Sequence, residues 1–287
     1  MIGAGTRPDV RSRRTRALSV PGRALAANGL WGSVLPVLGL VLAAVAWELV
    51  ARFIVRSQLL FATFSSTVHA LWELLRTGTI FPHLIVSAQE FLIGFIISAV
   101  AGVALGAAFA AVPWLGNLSS AVVQAAYATP LVAVAPLLIV LFGFGILSKV
   151  IIVVILAIFP VLISTESAFR SINPEYVETA VAFGAGRLQI LRKVILPAAS
   201  LGILTGLRLA VGRGIIGVLV GEIFGATRGL GFLIVQYSES FQTAKTLAVV
   251  LVLAIIGVVT NHGLQRLESR LSPWQVSRQM RRQANAE

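Results

Sequence analysis

Apolar stretches on the scale of a bilayer crossing recur along the chain, at about residues 30–53, 84–112, 118–142, 147–164, 200–224 and 244–264. A helix needs about 20 apolar residues to span the hydrocarbon core. Between these stretches no long segment of ordinary composition remains, which leaves no room for a large soluble domain. Only 12% of the 287 residues are charged and 57% are apolar, against about 25% charged in a soluble domain. The expected fold is an all-α, multi-pass membrane protein with six transmembrane helices.

The charges that remain set an expected orientation. The formal net charge is +12. On a soluble protein such an excess suggests nucleic acid. Here the cations gather at the ends of apolar stretches, which is an orientation signal, and no nucleic-acid partner is expected. Six arginines precede residue 30, four cations (Arg170, Arg187, Arg192, Lys193) lie in 166–199, and five arginines follow residue 265. The opposite side carries six: Arg52, Arg56, Arg76, Lys149, Arg228 and Lys245. The positive-inside bias places both termini and the 166–199 segment in the cytoplasm. The expected organisation is a disordered basic cytoplasmic tail at 1–29, a transmembrane domain at 30–265, and a second basic cytoplasmic tail at 266–287. Ser12-Arg13-Arg14 suggests a twin-arginine export signal, but no short apolar region with a small-residue cleavage site follows it closely.

Residues 166–199 form an unusually long polar, basic segment between apolar stretches, and most connections are far shorter. Residues 176–183 are good helix formers, with Val177, Ala180 and Val181 at i, i+3 and i+4. Gly184 is placed to end that helix in a left-handed conformation. Leu188, Leu191 and Val194 make a second stripe, which Pro197 is expected to stop. The result is two short helices meeting at a glycine. That is a compact knob outside the bilayer, or else an amphipathic loop lying on the membrane surface.

The spacing within this segment is Glu178-Thr179-Ala180, three residues, Gly184, nine residues, then Val194-Ile195-Leu196-Pro197. It resembles the cytoplasmic signature of the permease subunits of binding-protein-dependent ABC importers, which reads Glu-Ala-Ala, three residues, Gly, nine residues, Ile-x-Leu-Pro. Thr179 and Val194 depart from it, and the spacing is intact. The resemblance covers about residues 84–270. It implies a type I ABC importer permease fold in the bacterial inner membrane. It also implies that the knob seats in a groove of an ATP-binding subunit, of which there are two copies. A second permease subunit, as a homodimer, and an extracytoplasmic substrate-binding protein complete the assembly. ATP and its Mg²⁺ then belong to the partner, and no cofactor is bound by this chain. Thr129-Pro130-Leu131, Pro136-Leu137 and Phe142-Gly143 look like a run found in the nitrate, sulfonate and taurine subgroup, which implies a small anion as solute. Related permeases serve aromatic or pyrimidine compounds. Where family members carry a proline-containing turn near residues 61–68, this chain has Thr63, Phe64 and Ser65.

Prolines and charges inside the apolar stretches mark a candidate pathway or gate. Pro130 and Pro136 are expected to interrupt the third stretch, with Gln124, Tyr127 and Thr129 beside the break. Broken helices at membrane depth are tolerated where protein or a water-filled cavity covers the freed backbone groups. Arg208, Arg213 and Glu222 are the charges deepest in apolar sequence, each costing about 2.5–3.5 kcal/mol at a helix centre on insertion scales. Arg208 pairs structurally or lines the pathway; Arg213 contacts an anion or another helix; Glu222 sits at the outer end of its stretch, as Glu90 does near the start of the second. Residues 113–117 read as a turn. Gly102 and Gly106 form a small-xxx-small pair for close helix packing.

Other motifs are excluded by context. Gly212-Arg213-Gly214-Ile215-Ile216-Gly217 matches the dinucleotide fingerprint but lies inside an apolar stretch with no preceding strand. Its glycines, with Gly221 and Gly225, are read as packing residues. The sequence holds no phosphate-loop motif and no Cys, its three histidines are scattered, and no nucleophile elbow occurs. The chain is therefore expected not to be an enzyme, and any ATPase is a separate polypeptide. A secondary transporter would show inverted repeats with paired broken helices, and no convincing internal repeat is present.

Overall fold

The computed structural model describes residues 30–271. The expected tails at 1–29 and 266–287 lie outside the described residues, except for 266–271 at the end of the last helix. The chain divides into two compact units, 1–46 and 47–287. The described part of the first unit is the start of helix α1 (Leu30–Leu49). The second unit carries the remaining helices: α2 (Phe64–Arg76), α3 (Ile80–Ala111), α4 (Pro113–Ala128), α5 (Ala135–Phe142), α6 (Ile146–Arg170), α7 (Pro174–Ala182), α8 (Arg187–Ile190), α9 (Leu196–Gly225), α10 (Leu230–Glu239) and α11 (Thr243–Leu271).

Among the described residues, five helices are long and apolar enough to cross a membrane: Val37–Val55, Ile80–Ala111, Ile146–Arg170, Arg187–Gly225 and Thr243–Arg266. The pair α4 and α5, bent by 76° between them, makes a sixth apolar segment with the geometry of a broken span or a re-entrant loop. The bend sits at Thr129-Pro130. Pro130 has no N–H to continue the helix, and its ring forces Thr129 into extended backbone, at ψ 136°. Pro136 does not interrupt anything. It lies in the first turn of α5, where a missing N–H is harmless. Pro113 behaves the same way: it opens α4, so the turn expected at 113–117 reduces to Val112. Pro197 does not stop its helix either. A π-helical turn at Leu191–Ile195 absorbs the irregularity, and α9 starts beneath it.

Lipid supplies no hydrophobic drive for one helix to bind another, so close backbone packing has to do it. On α3 the buried residues Ser87, Glu90, Gly94, Ser98, Gly102 and Gly106 recur every three or four positions. On α9 the same period is kept by Gly206, Ala210, Gly214, Gly217, Gly221 and Gly225. Both stripes press on α6. A Cβ on Gly102 would lie 2.7 Å from the Val161 Cβ, and one on Gly106 would lie 2.6 Å from the Leu162 carbonyl oxygen. A Cβ on Gly217 would lie 2.9 Å from the Val153 Cα. Helix α6 is thus held at backbone distance on two sides. Gly212 departs from the packing expectation: it faces open space, with nothing within 4 Å of an added Cβ.

Outside this core, α2 is tied to the end of the first crossing. Trp47 donates Nε1–H to the Ala62 carbonyl at 3.0 Å and packs on Phe61 and Phe64. Glu48 accepts the Ser65 N–H at 3.0 Å and its hydroxyl at 2.9 Å. Thr63 caps α2 by accepting the Ser66 N–H at 3.2 Å. The Thr63-Phe64-Ser65 segment therefore makes a capped helix start.

The packing predicts opposite fates for two glycines on one helix. Gly206→Val would press a side chain against the Pro160 carbonyl oxygen at 3.0 Å and should cost about 1–3 kcal/mol or more. Gly212→Val should be tolerated. Thermal unfolding of both variants in detergent checks this: a lowered melting temperature is expected for the first alone.

Candidate functional site

Three groups of residues stand out: the knob at 171–195, the bend between α4 and α5, and a buried charge cluster at the other end of α6.

The knob begins where α6 ends. The expected span end at 164 falls six residues short, because α6 continues to Arg170. Arg170 pairs with Glu166 at 3.0 Å and donates to the Phe109 carbonyl at 3.2 Å, tying the end of α6 to the end of α3. Asn173 then caps α7 by accepting the Glu175 N–H at 3.0 Å. Pro174 opens the helix, and Glu175 lies in its first turn, where a carboxylate suits the dipole. The helix ends at Gly184, whose φ is +75°. The Ala185 N–H bonds the Ala180 carbonyl at 3.0 Å and the Gly184 N–H bonds the Val181 carbonyl at 2.9 Å. This pair of bonds is the Schellman arrangement, which wants a glycine at the left-handed position. The Gly186 N–H, held by the Gln189 side chain at 3.1 Å, starts α8.

The faces of the knob differ from the simple stripes. Val177 and Ala180 turn inward and are half-buried, but Val181 is exposed. On the second arm Leu188 and Leu191 are exposed, Val194 is half-buried, and the buried residue is Ile190. Phe183, directly before the glycine, is 87% exposed. Glu178 and Thr179 are exposed beside it, and Leu196 and Pro197 lead into α9. A compact turn that holds Phe183, Val181 and Leu188 in the open has the character of a docking surface.

At the bend, Arg213 of α9 meets Tyr127 of α4. The guanidinium lies 5.3 Å from the ring centroid, and Nη2–H reaches the phenol oxygen at 3.4 Å. Tyr127 is backed by Phe159 of α6, with centroids 6.3 Å apart. Gln124, Thr129 and Pro130 are exposed on the same bent segment. The Thr129 hydroxyl donates to the Ala125 carbonyl at 2.8 Å. Arg208 is half-buried further along α9.

Glu222 stands apart from that group. It is 1% exposed and accepts from the Ser87 hydroxyl at 2.5 Å and from the Gly231 N–H at 2.6 Å. Ser87 in turn accepts the Leu230 N–H at 2.8 Å, and His83 Nδ1 accepts the Gly229 N–H at 3.1 Å. A carboxylate thus caps the start of α10, where exposed N–H groups and the helix dipole favour negative charge. Gly229 makes this possible. Its φ is +129°, and a Cβ there would collide with the Glu222 carboxylate. Nearby, Lys149 of α6 pairs with Glu90 of α3 at 3.0 Å, both buried.

The sequence places Lys149, Glu90 and Glu222 toward the same end of three spans, and what it does not show is that they are buried together. A signal existed: one cation and two carboxylates lie toward corresponding ends of their spans. Ser87 and His83 carried no signal, because their role depends on α10 folding back onto α3.

Residues 94–273 match the family described as the binding-protein-dependent transport system inner membrane component. The chain is 32% identical over 197 residues to the taurine transport system permease protein of Escherichia coli (strain K12), covering 69% of this chain and 72% of that one. It is 33% identical over 244 residues to a putative aliphatic sulfonates transport permease protein of Bacillus subtilis (strain 168), covering 83% and 88%. The formylaminopyrimidine transport permease protein of Halalkalibacterium halodurans is 30% identical over 242 residues, covering 83% and 95%. A solved chain of the MetNI methionine ABC transporter shares the fold. Its TM-score is 0.54 at 24% identity, over 70% of this chain and 96% of that chain.

The buried cluster predicts an asymmetric response to mutation. Lys149→Met should cost about 3–5 kcal/mol, because it strands Glu90 as a buried unpaired charge. The double variant Lys149→Met with Glu90→Leu should recover a large part of that loss. Melting temperatures of the purified variants check both statements.

Proposed function

From the premise that the chain belongs to the binding-protein-dependent transport system inner membrane component family, we propose that it forms the ATP-driven translocation pathway for a small anion such as a sulfonate. Members of this family are ABC permeases of the membrane and work with ATP-binding and substrate-binding partners. In the reading proposed here the complex holds two copies of this chain and two ATP-binding subunits. An external binding protein delivers the solute. ATP and Mg²⁺ reside on the ATP-binding subunits, and this chain binds no cofactor and carries out no catalysis itself.

The observation that carries the reading is the knob. The spacing from Glu178 to Pro197 resembles the family signature, and the Schellman turn at Gly184 holds Phe183 outward. An ATP-binding subunit that receives Phe183 in a groove pulls on α6 and α9 together, because the knob joins them. Closure of the ATPase dimer then opens the spans outward, and hydrolysis returns them. The orientation follows from charge. The excess of cations in the knob and in the segments 1–29 and 266–287 favours placing them in the cytoplasm of a bacterial cell.

The likeness to taurine and aliphatic-sulfonate permeases supports an anionic solute. The likeness to a formylaminopyrimidine permease supports a pyrimidine as the second choice.

Pull-down of the tagged chain from mild detergent, followed by mass spectrometry, tests the docking site. An ATP-binding subunit should accompany the wild type. Replacing an aromatic anchor costs about 2 kcal/mol or more, roughly thirtyfold in affinity, so Phe183→Asp should lose the partner while the permease's own melting temperature stays unchanged. Gly184→Asp should weaken the complex as well. Retention of the partner by both variants would contradict the assignment.

A further inference from the structure

Two kinds of cation lie within the spans. Lys149 has Glu90 as its counter-ion. Arg213 has no carboxylate within ion-pair distance among the described residues; it meets Tyr127, through the phenol oxygen at 3.4 Å and the ring at 5.3 Å. Arg213 is also deep. It lies 17 residues, about 26 Å, from the start of α9 and 12 residues, about 18 Å, from its end at 1.5 Å per residue.

Arg213 is exposed on α9, with Thr205 and Gly212 and with the apolar Leu209 and Ile216 one turn to either side. Tyr127 stands just before the break in the bent span. There Pro130 has no N–H to donate, the Ala126 carbonyl takes only a long bond from the Thr129 N–H at 3.3 Å, and the Leu131 N–H turns to the Thr129 carbonyl at 2.8 Å instead of to Tyr127. A cation, a phenol and incompletely paired carbonyls at membrane depth belong against water or protein. A guanidinium that gives one N–H to a phenol keeps four others, which can match the oxygens of an oxyanion.

We propose that Arg213, steadied by Tyr127, is the anion-selecting contact of the pathway, taking the oxyanion group of a sulfonate or carboxylate. The proposal rests on the importer reading for calling this face a pathway, but its test does not. A single uncompensated cation attracts an anion without the full cage that would trap it, and conduction requires that release. Tyr127 acts as a positioning residue, fixing the plane of the guanidinium.

The chain contains no cysteine, so one thiol can be introduced alone. Gly212→Cys places it beside Arg213, where nothing lies within 4 Å of an added Cβ. The full chain, in membranes of expressing cells, is labelled with two methanethiosulfonate reagents, one carrying a sulfonate and one a trimethylammonium group. Their rates are divided by those for a free thiol in solution. The sulfonate reagent should be favoured by roughly tenfold or more, as expected for a focused positive potential. Adding methanesulfonate should slow the labelling. Arg213→Gln should abolish both effects, and Arg213→Lys should retain part of the preference. If the normalised rates are equal with Arg213 present, the proposal is overturned. It is also overturned if neither reagent reacts, since the face is then not open to water. Should Arg213→Gln fail to fold, as read by its melting temperature, the rates with Arg213 and with Lys still decide. Whether an ATP-binding subunit co-purifies is read separately, so loss of the importer reading and loss of the anion contact are distinct results.

Discussion

The structure depends on α6 being held at backbone distance between two stripes of small residues. One runs along α3 through Gly94, Ser98, Gly102 and Gly106, the other along α9 through Gly206, Gly214, Gly217 and Gly221. In lipid such contact replaces the hydrophobic effect as the source of cohesion. It makes three helices of 32, 25 and 30 residues into one body. The knob hangs from two of the three, since α6 leads into it and α9 leads out. A push on Phe183 is therefore delivered to the closely packed α3–α6–α9 part of the bundle. The α4–α5 pair, bent by 76° at Thr129-Pro130, lies outside the two glycine stripes.

Charge is distributed along this body in a way that separates cohesion from selection. At one end Lys149 and Glu90 neutralise each other, and Glu222 caps α10 through the Gly231 N–H. These groups are buried and bond one another and the backbone, with Glu90 Oε2 left without a partner, and they link α3, α6, α9 and α10. In the middle Arg213 leans on Tyr127 without a carboxylate partner among the described residues, on an exposed face. At the other end Arg170 joins Glu166 and the Phe109 carbonyl, fixing the base of the knob. Each level of the bundle has its own polar arrangement, and of these the level at Arg213 is the one presenting an unneutralised cation.

The fold was legible in the sequence because lipid leaves a helix few alternatives. Apolar length marks six stretches, five of which are single helices of crossing length and the other the bent α4–α5 pair, and the spacing of Gly102 and Gly106 pointed to a closely packed face. Proline was the less certain guide. Pro130 breaks a helix, whereas Pro113 and Pro136 lie in first turns and Pro197 follows a π-helical turn. The same residue type marks a break or a start depending on which carbonyls surround it, and those are set by tertiary packing. Val177, Ala180 and Val181 share a stripe by spacing, yet the first two are half-buried and Val181, beside the Schellman turn, is exposed. The Glu90–Lys149–Glu222 cluster was not legible for a related reason. Its members lie on three helices 59 or more residues apart in sequence, and only the register of the stripes brings them level.

ATP-dependent uptake tests the central claim most directly. The chain would be reconstituted into proteoliposomes with its co-purifying ATP-binding subunit and its binding protein, and radiolabelled taurine supplied outside. The account predicts accumulation that requires ATP on the ATPase side and the binding protein on the other, and that is indifferent to an uncoupler. Uptake that proceeds without ATP and collapses with the proton gradient would contradict it and make the chain a secondary transporter.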